Sequence, residues 1–219
     1  MTDADDAPQR LTRKQRQEHT RRGLLDAAGR VFARRGLAQA SVDEVAADAG
    51  FTKGAVYANF GSKEELFLEM LDRKFAQRLA DLEAVLGTDA PAEEQARAAG
   101  RDFLAAISGD PDWGRLFVEA ALHASRHEAF REKLQASYAQ MRASMVELLR
   151  ARVEAEGIEP PVPLDELAMM FFAMANGVGF ERLVEHENVP DDLFATMLGL
   201  FTRGVWSAQQ DGVADGDPA

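Results

Sequence analysis

The chain has 219 residues, 46% of them hydrophobic, and no cysteine, so a packed core is feasible while disulfides, thiolate catalysis and cysteine-ligated zinc are excluded. Its net charge of −12 argues against a polyanionic partner only until the placement of the charge is considered. Residues 10–63 carry 11 basic and 5 acidic side chains, residues 79–219 carry 11 and 25, and a basic segment joined to an acidic body points to different partners for the two.

The opening stretch MTDADDAPQRLTRKQR is acidic and then basic, with no apolar centre, so no secretory leader is expected. Apolar residues then recur three or four apart with almost no period-2 alternation, which predicts an all-α chain of about nine helices. A first helix over about 12–35 turns Leu24, Ala28, Val31 and Phe32 inward and stops at Gly36. Ser41-x-x-Glu44 is a capping box that opens a second helix, lined by Val42, Val45, Ala46 and Ala49 and ended by Gly50. Thr52 caps a third helix of about two turns, which closes near Phe60-Gly61. Ser62-x-x-Glu65 reads as another capping box, starting a long helix with the stripe Phe67, Leu71, Phe75, Leu79, Leu82 and Leu86.

The acidic body continues in the same period. Pro91 suits a helix first turn, and Asp110-Pro111 starts the next helix, with Trp113, Leu116, Phe117 and Ala120 on one side. A long helix through Phe130, Leu134, Tyr138, Met141, Met145 and Leu149 stops at Gly157, and EPPVP (159–163) is a linker. Two final helices follow, over about 164–187 and 190–209. The apolar run 167–180 is shorter than the roughly 20 residues that span a bilayer, so it reads as a buried helix with no membrane partner.

Two short helices joined by a tight glycine turn form a helix-turn-helix, whose second helix enters the DNA major groove while the first braces it. Ala46, Ala49 and Gly50 supply the small residues for the crossing, and Phe51 or Val56 the apolar anchor. Lys53, Tyr57 and Lys63 are donors around the reading helix, where phosphate contacts fix register and base contacts specify. Lys63 opposes the dipole of the helix that it opens, so an anionic partner makes better sense of it.

The stretch SVDEVAADAGFTKGAVYANFGSKEELF, preceded by LLDAAGRVFARRG, resembles the DNA-binding segment of the tetracycline-repressor (TetR) family of bacterial transcriptional regulators over roughly residues 20–67. Over residues 80–219 the likeness is one of layout only. The resemblance implies a three-helix helix-turn-helix domain over 12–62 and a larger helical ligand-binding and dimerisation domain over 63–209; residues 1–11 are expected to be a disordered extension, and the composition of QDGVADGDPA reads as a disordered tail over 210–219. It makes Thr52 and Lys53 the start of the recognition helix, with Lys53 the base reader, since a lysine can donate to guanine O6 and N7. Gly54 and Ala55 let the backbone approach the groove, Tyr57 and Lys63 hold phosphates, Ala58 and Asn59 come close to DNA, and Ser41 and Thr52 add hydroxyl contacts. Arg13, Lys14, Arg16, Arg21 and Arg22 form a basic extension for the backbone or the minor groove. Blander readings stand beside these: Tyr57 as an apolar plug, and the cationic side chains as a solvated surface.

Trp113, Phe117, Met141, Met145, Met170, Met174, Asn176 and Phe180 are the candidate ligand contacts, because methionine and aromatic side chains re-pack around apolar ligands. The competing reading is plain core. His123-x-x-x-His127, with Glu119 or Glu128, leaves open a metal site and a metal-dependent helical enzyme. No nucleophile elbow, zincin motif or phosphate-binding loop is present, so no catalytic residue and no cofactor are expected. The expected protein is a cytoplasmic homodimer, paired through 167–180 and 193–206, on double-stranded operator DNA. An unknown small molecule releases it, with a ligand-independent or activating regulator as the alternative.

Overall fold

The computed structural model describes residues 12–109, 112–185 and 188–211, with the side chains at 107–109, 112–113 and 206–211 outside the description. Nine helices and no strand occur among the described residues. They are α1 (Arg13–Gln39), α2 (Val42–Ala49), α3 (Lys53–Asn59), α4 (Lys63–Leu86), α5 (Ala92–Gly109), α6 (Asp112–Ala124), α7 (Glu128–Glu156), α8 (Leu164–Val184) and α9 (Leu193–Asp211).

The chain divides into two units within α4, between Met70 and Leu71. That is later than the expected boundary at 62, because Leu66, Phe67, Leu68 and Met70 in the first two turns of α4 are buried. In the N-terminal unit, Leu24, Ala27, Ala28, Val31 and Phe32 give α1 one closed apolar face. Phe32 meets Phe67 edge-to-face, with centroids 5.1 Å apart. The expected stop at Gly36 is a break inside α1: Gly36 takes φ 74°, ψ 165°, and the chain turns on to Gln39. The Ser62 box is also displaced. Ser62 Oγ accepts from Glu65 N at 3.0 Å, but the Glu65 carboxylate accepts from Gly61 N at 3.2 Å, not from Ser62 N.

In the C-terminal unit, α5 and α9 lie closest together. An ideal Cβ on Gly100 would sit 2.5 Å from Ala195 Cα, so the two backbones touch where only glycine fits. Ala96, Ala99, Leu104, Ala175, Val178, Phe194 and Leu198 form the core there, and Met145, Val146 and Ala168 form a second cluster between α7 and α8. Helix α8 corrects the expected buried helix. It has 21 residues and among the described residues is the one helix long and apolar enough to cross a membrane by length and composition. One face is buried through Leu167, Ala168, Ala175 and Val178, while Met169, Met170, Phe180, Leu183 and Val184 are exposed. Helix α9 runs to Asp211, so the first two residues of the expected tail are helical, and 1–11 and 212–219 lie outside the described residues.

Candidate nucleic-acid interface and ligand cavity

Helix α2 starts where Ser41 allows it. Ser41 Oγ accepts from Glu44 N at 3.2 Å, and Glu44 Oε2 accepts from Ser41 N at 3.0 Å and from its hydroxyl at 3.1 Å. These bonds, the backbone one foremost, hold the Glu44 carboxyl below its ordinary range. Gly50 ends α2 in the left-handed region, at φ 71°, and Phe51 N then donates to Ala46 O at 2.9 Å. The Phe51 ring lies where a side chain on Gly23 would be, 3.1 Å from an ideal Cβ. Thr52 Oγ1 accepts from Ala55 N at 3.2 Å and opens α3. Val56 alone of α3 is fully buried, which fixes the helix's roll and turns Thr52, Lys53, Gly54, Tyr57 and Ala58 to solvent. Tyr57 is 51% exposed, so it is no apolar plug.

The cationic residues divide into two groups. Lys53 Nζ donates to Asp43 Oδ2 at 2.8 Å, and that hydrogen bond raises the Lys53 pKa above its ordinary value. Lys63 Nζ donates to the carbonyls of Ala40 at 3.0 Å and Ala38 at 3.3 Å, at the end of α1. Arg21, placed by the sequence in a basic extension, is a clasp within the fold: it donates to Asn59 O at 2.7 Å, pairs with the Glu69 carboxylate, and lies 4.5 Å from the centroid of Phe60. Asn59 Nδ2 donates back to Ala55 O at 2.8 Å, and with Ala55 it is half-buried. Arg30 and Arg34 both hold Asp48, Nε at 2.8 Å and Nη2 at 2.9 Å, locking α1 to α2 and keeping the Asp48 carboxyl below its ordinary range. Sequence reasoning missed all three; the only signal was the i, i+4 spacing of the two arginines. Arg13, Lys14, Arg16 and Arg22 lie on exposed turns of α1, not on a separate arm.

The C-terminal unit holds a cavity of about 770 Å³, lined mainly by apolar side chains. Of the candidate ligand contacts, Phe117, Met141, Met145 and Asn176 line it. Met170 and Phe180 are exposed on the outer face of α8, Met174 packs against the core around Phe194, and the Trp113 side chain lies outside the described residues. Phe75, Leu82, Gln95, Phe103, Phe171 and Phe172 were not foreseen in its wall. Gln95 Nε2 donates to Thr88 O, and Thr88 Oγ1 donates to Val85 O at 2.9 Å. His123 and His127 stack with ring centroids 3.9 Å apart, and among the described residues no three potential metal ligands come together.

Residues 24–70 match the sequence model described as bacterial regulatory proteins, tetR family, and residues 92–207 match that of the BetI-type transcriptional repressor, C-terminal. The HTH-type transcriptional activator FasR of Mycolicibacterium smegmatis is 38% identical over 100 residues, 45% of this chain and 46% of that protein. The chain spans less than half the length of the first curated relatives that it matches. Among solved structures, FadR of Bacillus subtilis in complex with stearoyl-CoA superposes with a TM-score of 0.65 at 17% identity, covering 83% of this chain and 96% of that one. A transcriptional regulator of Saccharomonospora viridis in complex with choline gives 0.59 at 22%, covering 84% and 95%. At those identities the structures speak for the fold alone. With the second sequence model covering more than half of its length, the chain belongs to the tetR family of bacterial regulatory proteins, a family of DNA-binding transcriptional regulators and not of enzymes.

Proposed function

We propose that the protein is a homodimeric repressor that binds a palindromic operator in the cytoplasm and leaves it when a small molecule enters the C-terminal cavity. The observation that carries this reading is the course of α4. One uninterrupted helix begins at Lys63, against the end of α1, and continues to Phe75, Leu79 and Leu82 in the cavity wall. A ligand touching those three side chains touches the helix that also carries Lys63. It can act on DNA affinity only as far as it binds the DNA-competent and released states differently.

The exposed residues of α3 are the reading surface. Lys53 exchanges Asp43 for a base edge, and Tyr57, Ala58 and Gly54 meet the groove. Thr52 and Ser41, whose hydroxyls already cap helices, contribute through the position of those helices. The exposed side chains Met169, Met170, Phe180, Leu183 and Val184 of α8, with Leu200 of α9, form the dimer face, since large apolar side chains left exposed in such number favour a protein contact. A two-fold axis through it sets two α3 helices in successive major grooves, roughly 34–36 Å apart. The stearoyl-CoA and choline complexes of the two structural neighbours support a cavity that takes small molecules. An activating role is the second reading, favoured by the name of the FasR relative.

The test is a mobility-shift titration on the DNA upstream of the protein's own gene, with and without candidate ligands, beside sedimentation of the free protein. A dimer whose shifted band is lost as ligand rises supports the proposal. A monomer, or a shift indifferent to every ligand that binds the cavity, contradicts it.

A further inference from the structure

The polar residues of the cavity wall are unevenly shared among its helices. Every charged one comes from α4 or α5, and Asp81, Glu94, Arg101 and Asp102 are exposed, so water meets their charge. Three more are spent within the fold. Arg78 donates to Ala106 O at 3.3 Å, Thr88 Oγ1 to Val85 O at 2.9 Å, and Gln95 Nε2 to Thr88 O. The remaining Gln95 oxygen is sealed and offers no surface to a ligand. From α6, α7 and α8 the wall takes apolar side chains and one polar one, Asn176. Among the described residues its amide makes no hydrogen bond, and both of its polar atoms keep accessible surface. It is free to donate and to accept.

The rest of the wall decides what kind of molecule meets that amide. Five phenylalanines line it: Phe75, Phe103, Phe117, Phe171 and Phe172. Two further rings hold them in place. The centroid of Tyr138 lies 5.9 Å from that of Phe75 and 5.8 Å from that of Phe117. The fully buried Phe194 lies 4.7 Å from Phe103 and 5.9 Å from Phe171. Rings fixed in this way lose little freedom when a ligand packs on them, and ring-on-ring contact adds to the gain from buried area. An ion beside Asn176 would find no counter-charge on α6, α7 or α8, and burying it unpaired is prohibitive, whereas a neutral polar group is not. The volume of about 770 Å³ leaves room for a ligand of several rings, since drug-sized sites occupy roughly 300–1,000 Å³.

We propose that the cavity takes an uncharged aromatic ligand bearing a hydroxyl or carboxamide group, and that Asn176 is the residue that selects this group. The proposal rests on the reading of the cavity as a ligand site and deepens it by naming the ligand class. Asn176 sets specificity because an analogue without the polar group covers the amide and leaves it unpaired in the complex.

Equilibrium dialysis of the full-length protein with biphenyl, biphenyl-4-ol, biphenyl-4-carboxylate and 4-cyclohexylcyclohexanol tests it, at about pH 7, where a phenol is neutral. The hydroxyl and Asn176 form a double-mutant cycle: Asn176→Leu should weaken biphenyl-4-ol about tenfold more than it weakens biphenyl. The wild-type protein should hold biphenyl-4-ol more tightly than the carboxylate. It should also prefer it by about threefold over 4-cyclohexylcyclohexanol, which keeps the carbon skeleton and the hydroxyl but has no ring faces. Should the leucine variant fail to fold, Asn176→Ala gives the same cycle. Equal losses for biphenyl and biphenyl-4-ol overturn the role of Asn176, and preference for the carboxylate or for the cyclohexyl alcohol overturns the ligand class. Each of these leaves the cavity a ligand site. Binding of none of the four overturns the cavity reading, and this proposal with it.

Discussion

The two units use polar chemistry in opposite ways. In the N-terminal unit the positive charge that suggested DNA is largely committed within the fold: Arg21 to Asn59 and Glu69, Arg30 and Arg34 to Asp48, Arg35 to Glu44 at 3.2 Å, and Lys63 to the carbonyls ending α1. In the C-terminal unit the acidic members of the cavity wall are exposed, and the single buried amide there is left half-answered. A basic count is therefore a poor measure of a DNA footprint, because guanidinium groups that brace a helix-turn-helix and those that meet phosphate look alike in sequence. What distinguishes them is how shielded the partner is: Asp48 and Glu69 are 20% and 30% exposed, whereas Asp43, the partner of Lys53, is 62% exposed.

The strongest way to break this comparison is to remove the core beneath the reading helix. Phe32→Ala empties the position against Phe67 and should destabilise the N-terminal unit by about 3–5 kcal/mol, read by denaturant titration. It should abolish operator binding while the C-terminal unit keeps its helical core. Next in size is a pair of glycine changes. Gly100→Ala drives a methyl into the Ala195 backbone and should cost about 1–3 kcal/mol. Gly29→Ala, where a Cβ meets nothing within 4 Å on a helix interior, should stabilise by about 0.5–1 kcal/mol. Equal effects of the two on melting would deny that α5 and α9 touch at Gly100.

Arg21→Ala sharpens the distinction between bracing and binding. It should lower stability by about 1 kcal/mol and weaken DNA binding, yet leave the slope of log affinity against log salt unchanged, because Arg21 releases no counterion. A slope reduced by about one would return Arg21 to the phosphates. The smallest effect belongs to Asp48. Its folded pKa lies below the ordinary 3.8, so its contribution is present above that value and is lost as pH falls through the folded pKa. Asp48→Asn should remove that part of the acid limb of the stability curve and leave the rest in place.

Much of the fold was legible because its signals are local. Ser41-x-x-Glu44, Gly50 and Thr52 each act within three or four residues, and all three perform the expected work. The clasp of Arg21 was not legible, since its partners lie 38 and 48 residues away. Periodicity identified Phe117, Met141 and Met145 as inward-facing, but it does not tell a filled interior from a cavity, and so Phe171, Phe172 and Gln95 went unassigned. Met170 and Phe180 were misplaced because α8 is apolar nearly all round, so no polar stripe marks its outer face.

The central claim is that the exposed face of α3 reads DNA. It is tested most directly by fluorescence anisotropy of the wild-type protein and Tyr57→Ala on the fragment upstream of the gene, over a range of salt. Tyr57 is half-exposed on α3, so the change should leave the melting temperature almost untouched. The account predicts salt-dependent, sequence-selective binding by the wild-type protein, weakened about tenfold or more in the variant. Unaltered affinity in the folded variant, or wild-type binding indifferent to sequence, would contradict it.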